Sequence, residues 1–223
     1  MKKALLVLLA TAGCNSGGGS ASEKSAEIDF ETKVATSIFF DAALLKPGDR
    51  VRYLVKRQGE DTQRYDWTAV AAEGTAIWIE NNVPNQDTRV IWKVKLDRSG
   101  KVLEEWVGEP GGVPARRYSS AGKAEAPRQV RDSSTATADS KEEPDRIVVS
   151  GRPYDCTRVT TKLTYPTDKR TSVMINWFSK EVPFAATKTL GGLVKRQFGR
   201  LSMELLSFDG TGKAELLIPP PQK

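Results

Sequence analysis

The residues able to carry chemistry are few. Cys14 and Cys156 are the only thiols, and the chain holds no histidine. Without imidazole there is no Ser–His or Cys–His nucleophile, no histidine base and little of the ligand chemistry that holds zinc or iron. Cys156 stands in Pro153-Tyr154-Asp155-Cys156-Thr157, and a reactive thiol wants a cationic neighbour. Arg158 alone is local, so a small buried core residue is expected. Gly210-Thr211-Gly212-Lys213 ends like a phosphate loop, but Ser207 stands where the earlier glycine belongs and Ala214 where Ser or Thr belongs. It reads as a hairpin turn. Ser120-Ala121-Gly122-Lys123 has Ser-x-x-Lys spacing without a following Ser-Asp-Asn or Lys-Thr-Gly. Glu104 and Glu105 are neighbours on an expected strand, where they point to opposite faces and cannot share a substrate. No catalytic residue, cofactor or metal site is expected.

Cys14 has a different context. Lys2-Lys3 precede an apolar run from Ala4 to Ala12, long enough for a signal peptide and too short to span a bilayer. The run ends in Thr11-Ala12-Gly13-Cys14, and Asn15 to Ser25 follow as a Gly/Ser-rich tether. Residues 1–25 resemble the lipobox-type amino terminus of bacterial lipoproteins, departing at Thr11, where the family usually has Leu. The resemblance implies a signal peptide over 1–13, a lipid on Cys14 and a tether over 14–27. Asn15, rather than Asp, after the cysteine implies sorting to the outer membrane, periplasmic side. Inner-membrane anchoring and surface exposure are the alternatives. Loss of Lys2 and Lys3 takes 34 basic residues to 32, against 28 acidic ones. That small, scattered excess in an exported chain does not predict a nucleic-acid partner. With Cys14 lipidated, Cys156 has no thiol to pair with, so the body must rest on its hydrophobic core.

The elements that would build this core read mostly as strands. Val51, Tyr53 and Val55 alternate with Arg52 and Lys56, and Tyr65, Trp67 and Ala69 with Arg64, Asp66 and Thr68. Val90, Trp92, Val94 and Leu96 form a third row, Val159, Thr161, Leu163 and Tyr165 a fourth, and Val173, Ile175 and Trp177 a fifth. Glu73-Gly74, Asp97 to Gly100 and Asp209 to Gly212 supply turns. Helices are expected over 28–45, where Thr36 to Phe40 also fits a strand, and over 184–198, which Gly191-Gly192 weakens. Residues 109–146 hold few large apolar groups and read as a disordered linker or insertion. It divides a β domain into halves at 28–108 and 147–219, before a short tail at 220–223. Trp78 to Val83-Pro84 resembles Trp177 to Val182-Pro183, and Asp97 to Lys101 resembles Asp209 to Lys213. A duplicated meander and a chance match of short motifs both fit these pairs.

The fold class expected is mainly β, an antiparallel curved sheet or open half barrel of about eight to ten strands with one or two helices. At the level of fold the body resembles the half-barrel envelope lipoproteins of the LolA/LolB type. Trp78 is out of phase with Ile77 and Ile79, so it either covers the underside of a helix or, with Trp92, lines an apolar ligand groove. Two functions follow. One is a non-catalytic, membrane-anchored envelope lipoprotein holding an acyl chain or hydrophobic segment on a concave sheet face. The other is a structural or protein-interaction lipoprotein with a filled core and no ligand. The expected partners are the bilayer through Cys14 and a lipid or an envelope protein.

Overall fold

A computed structural model describes residues 38–84, 89–110, 115–117, 137–164 and 171–216. The signal peptide, Cys14 and the tether lie outside the described residues. The strands are β1 (Arg50–Arg57), β2 (Gln63–Glu73), β3 (Ala76–Pro84), β4 (Arg89–Asp97), β5 (Val102–Gly108), the two-residue β6 (Arg116–Arg117), β7 (Thr137–Val149), β8 (Arg152–Thr164), β9 (Thr171–Ser179), β10 (Gly192–Phe198) and β11 (Leu201–Asp209). They form one antiparallel sheet in the order β6-β5-β4-β3-β2-β1-β11-β10-β9-β8-β7. The sheet is open, with β6 and β7 at its edges, so the expected class stands. The first five rows expected from alternation fall on β1, β2, β4, β8 and β9. On the β7 side the sheet curls until the β7–β8 tip meets β11. There Ser150 Oγ donates to the Leu205 carbonyl at 2.8 Å, and the Arg152 guanidinium lies 5.2 Å from the Phe208 ring centroid.

Register divides the side chains between two faces. Val51, Tyr53 and Val55 pair into rows with Trp67, Tyr65, Leu205 and Met203. The same inner face carries Ile77, Ile79 and Leu96 across β3 and β4, and Arg196 and Phe198 across β10. Two non-strand segments cover it. Ile38, Phe39, Ala42 and Leu45 from the chain before β1, and Val182, Phe184 and Ala186 from the β9–β10 loop, are all buried in this core. Phe40 joins them, its ring edge-on to Trp67 at 6.3 Å and to Phe184 at 5.6 Å. Arg98 ties the first segment down, donating from Nη1 to the Ala42 and Leu45 carbonyls at 2.9 and 3.2 Å.

Four sequence expectations change here. No helix occurs among the described residues: 42–44 form a turn, and 192–198, within the expected second helix, is β10. Two packing contacts explain that segment. A Cβ on Gly192 would stand 2.1 Å from the Pro183 carbonyl oxygen, and one on Gly191, at φ +78°, 2.1 Å from that of Ser179. The glycine pair is what lets the loop fold back to start β10. Residues 137–146, assigned to the linker, lie in β7, paired along its whole length with β8. Their polarity suits an edge strand, where one side of the ladder faces water. Residues 118–136 lie outside the described residues. In β9 the inward row is Met174, Asn176 and Phe178 rather than Val173, Ile175 and Trp177. Val173 is 49% exposed, whereas Trp177 is buried with the core cluster although it pairs with Lys195 on the outer face.

The fourth change concerns the repeat. Both tryptophans point to the outer face, but β3 and β9 stand five places apart in an antiparallel sheet and so run in opposite directions. The chain leaves both strands toward the β6 edge. Superposing the two meanders therefore needs a flip that exchanges the faces, which would send the two tryptophans to opposite sides. The Val-Pro pairs differ as well, Val83-Pro84 ending β3 and Val182-Pro183 lying in the β9–β10 loop. Asp97 to Lys101 joins β4 to β5, whereas Asp209 to Lys213 leaves β11 for a segment without strand structure. The matched motifs are not equivalent positions, and Gly210 to Lys213 is not a hairpin.

Candidate functional site

The segment after β11 builds the site. Asp209 Oδ1 accepts from the Thr211 amide at 3.0 Å and turns the chain. Gly212 then donates to the Gly48 carbonyl at 2.9 Å, so close to β2 that a Cβ there would meet Thr68 Cγ2 at 2.4 Å. From this anchor the segment crosses the outer face as a strap and ends over β3, β4 and β5. Glu80 on β3 and Lys93 on β4 are cross-strand neighbours facing outward beneath it. Both are nearly buried, at 4% and 7% exposure, and their charges pair at 3.0 Å. The Glu80 carboxylate accepts from the Glu215 amide at 2.7 Å and the Leu216 amide at 3.1 Å, while Lys93 Nζ donates to the Leu216 carbonyl at 3.1 Å. The pair thus holds the backbone of two successive residues by charge-assisted hydrogen bonds. The Leu216 side chain fills a socket of Ile91, Ala115 and Trp106. Its floor is Gly108, where a Cβ would lie 2.7 Å from Leu216 Cδ1.

Trp78 lies beside this clamp. Lys93 and Lys95 Nζ stand 5.9 and 5.3 Å from its ring centroid, and its Nε1 donates to Glu73 Oε2 at 3.0 Å. Hydrogen bonds from Lys95 and Trp78 hold the Glu73 carboxyl below its ordinary value, and the bond to Glu73 raises Lys95. Trp92, half-buried, pairs with Asn81 and Val107 on the inner face. The structure therefore does not bring Trp78 and Trp92 together: they sit on opposite faces of one sheet and cannot line a single groove. Glu104 and Glu105 also divide between the faces, Glu104 pairing with Lys95 and Glu105 with Val94.

The sequence reading missed Glu80 and Lys93. Two charges at outward positions of a strand pattern look solvated, and the out-of-phase Trp78 pointed to a helix on this face, where the structure instead has the non-helical strap 211–216. Elsewhere, an open depression of about 670 Å³ is lined by Asp145, Asp155, Cys156, Phe178, Glu181 and Leu190, among others. Burial pushes the Cys156 thiol up to about 11, and the negative charges of Asp145, Asp155 and Glu181 push the same way. That thiol is a poor nucleophile at neutral pH. Among the described residues no group of three or more Cys, Asp and Glu is placed to hold a metal ion. The arrangement at the clamp suits recognition of a polypeptide backbone.

No protein-family model matches the sequence, and no curated protein matches it. Among solved structures the chain is similar to MucB in complex with MucA(peri), at 13% identity and a TM-score of 0.40. That match covers 77% of this chain and 51% of the other, so the chain spans about half the length of MucB. It is also similar to an exported protein with a YMCC-like fold from Bacteroides fragilis, at 8% identity and a TM-score of 0.35, covering 77% and 99% of the two chains. A third likeness is to a chain described as a lipoprotein from Parabacteroides distasonis, at 11% identity and a TM-score of 0.31, covering 73% and 95%.

Proposed function

We propose that this chain is a non-catalytic lipoprotein of the bacterial envelope, anchored to the outer membrane through lipidated Cys14, which works by contact with a protein rather than by carrying an acyl chain. The filled inner face carries this reading. Phe39, Phe184, Leu45 and Val182 occupy the surface that a carrier would leave open for its cargo. Burying these side chains is worth about 1.5–3 kcal/mol each, and an acyl chain would have to displace them. The anchor rests on residues 1–25, where an apolar signal run ends at Cys14 and a tether follows.

Two measurements test the proposal. The full-length chain made in a diderm bacterium should fractionate with outer membranes and take up palmitate label, and Cys14→Ser should lose both. Native mass spectrometry of residues 26–223 purified from the periplasm should show the bare polypeptide mass. Label on Cys14→Ser would remove the anchor. A co-purified phospholipid or fatty acid would restore the carrier reading.

A further inference from the structure

The clamp over β3 and β4 is costly if its purpose is only to close the fold. Taking an ammonium and a carboxylate out of water costs several kcal/mol per ion, and an apolar pair of similar volume often serves stability as well or better. The Glu80–Lys93 pair balances that cost by bonding two amides and one carbonyl of another segment. Those contacts address backbone, and among the described residues the side chain they enclose is that of Leu216, in the socket over Gly108. Glu215 adds a looser ion pair to Arg50 at 3.7 Å. Nothing in this set depends on the segment belonging to the same chain. An extended stretch with an acidic residue followed by leucine satisfies every group in it.

We infer that Glu80, Lys93 and the Leu216 socket form a peptide-binding site for an extended acidic-Leu segment of a partner protein, which residues 213–216 occupy in cis. Attached through the few residues after Gly212, the strap acts at high effective concentration and shields the site until a partner segment of the same chemistry displaces it. The inference goes beyond the envelope reading and does not rest on it, because the binding is read on the protein away from any membrane.

The probe is acetyl-Lys-Ala-Glu-Leu-amide, which matches residues 213–216 and keeps the carbonyl that Lys93 binds. A chain ending at Gly212, its folding verified by circular dichroism, should bind this peptide with a Kd of roughly 10–500 µM. The Trp106 indole resonance reports it from the socket. Replacing the peptide's leucine by serine should weaken binding about ten-fold or more, as should Glu80→Gln in the protein. The complete wild-type chain should not respond at the same peptide concentration, its site being filled. Should the shortened chain fail to fold, complete Leu216→Ser should respond to the peptide where wild type does not. A folded variant that ignores the peptide, or that binds the leucine and serine peptides alike, overturns the site.

Discussion

At the scale of residues, the outer face of β7, β8 and β9 carries the clearest pH dependence. Hydrogen bonds from Lys141 and then Arg158 hold the Glu143 carboxyl down to about 2, against an ordinary 4.5. Trp177 Nε1 donates to Asp145 Oδ2 at 2.8 Å, the chief reason that this carboxyl too lies below its ordinary value. A carboxylate depressed by folding adds stability that is complete above its unfolded pKa and lost as pH falls through the folded one. The β7–β8 hairpin should therefore loosen between about pH 4.5 and pH 2, ahead of the inner core. Amide exchange along β7, together with the Trp177 indole resonance, would follow it. Glu143→Gln should flatten the pH dependence while leaving neutral-pH exchange in β1 and β11 unchanged; an acid transition that keeps its slope in that variant would assign it elsewhere. Both groups are half-buried and still screened by water, so the gain at neutral pH is small.

At the scale of elements, the β9–β10 connection shows how a local signal can be read correctly and assigned to the wrong structure. Ala185, Ala186, Leu190, Leu193 and Val194 have helical spacing, and the glycine pair was the evidence against it. In the fold Gly191 and Gly192 pass so close to the Ser179 and Pro183 carbonyls that no Cβ fits. Gly192→Ala should destabilise the protein by about 2–4 kcal/mol and lower Tm by roughly 5–15 °C in a thermal melt, far more than an ordinary surface substitution. A melt within a degree or two of wild type would mean that the loop has room to shift. Bulges account for other elements that alternation misjudges. Leu103 and Leu206 are skipped by their partner strands' registers, at 46% and 38% exposure. A strict period of two would have buried or exposed them with their neighbours.

At the scale of the molecule, the core is one sheet covered by two segments without regular structure. Phe184, 1% exposed and at φ +60°, joins the β9–β10 loop to Phe40 and hence to the segment before β1. Phe184→Ala should cost about 3–5 kcal/mol and loosen both covers together. Denaturant unfolding with binding of a hydrophobic dye would show it; a loss below 1 kcal/mol would mean that the sheet holds its core without this loop. Alternation alone determined the strand-rich class, the rows on β1, β2 and β4 and the hairpin tip at Asp97 to Gly100, because period and turn chemistry are local properties of the chain. The absence of histidine bounded the chemistry in the same way. Tertiary structure alone decided that the polar stretch 137–146 is an edge strand, that Trp177 faces outward, and that Glu80 and Lys93 are buried. Glu80 meets Glu215 and Leu216 across 135 and 136 residues of chain, and Lys93 reaches Leu216 across 123. Whether an outward charge is wet or covered depends on where a distant segment comes to rest, and no spacing within a strand records that.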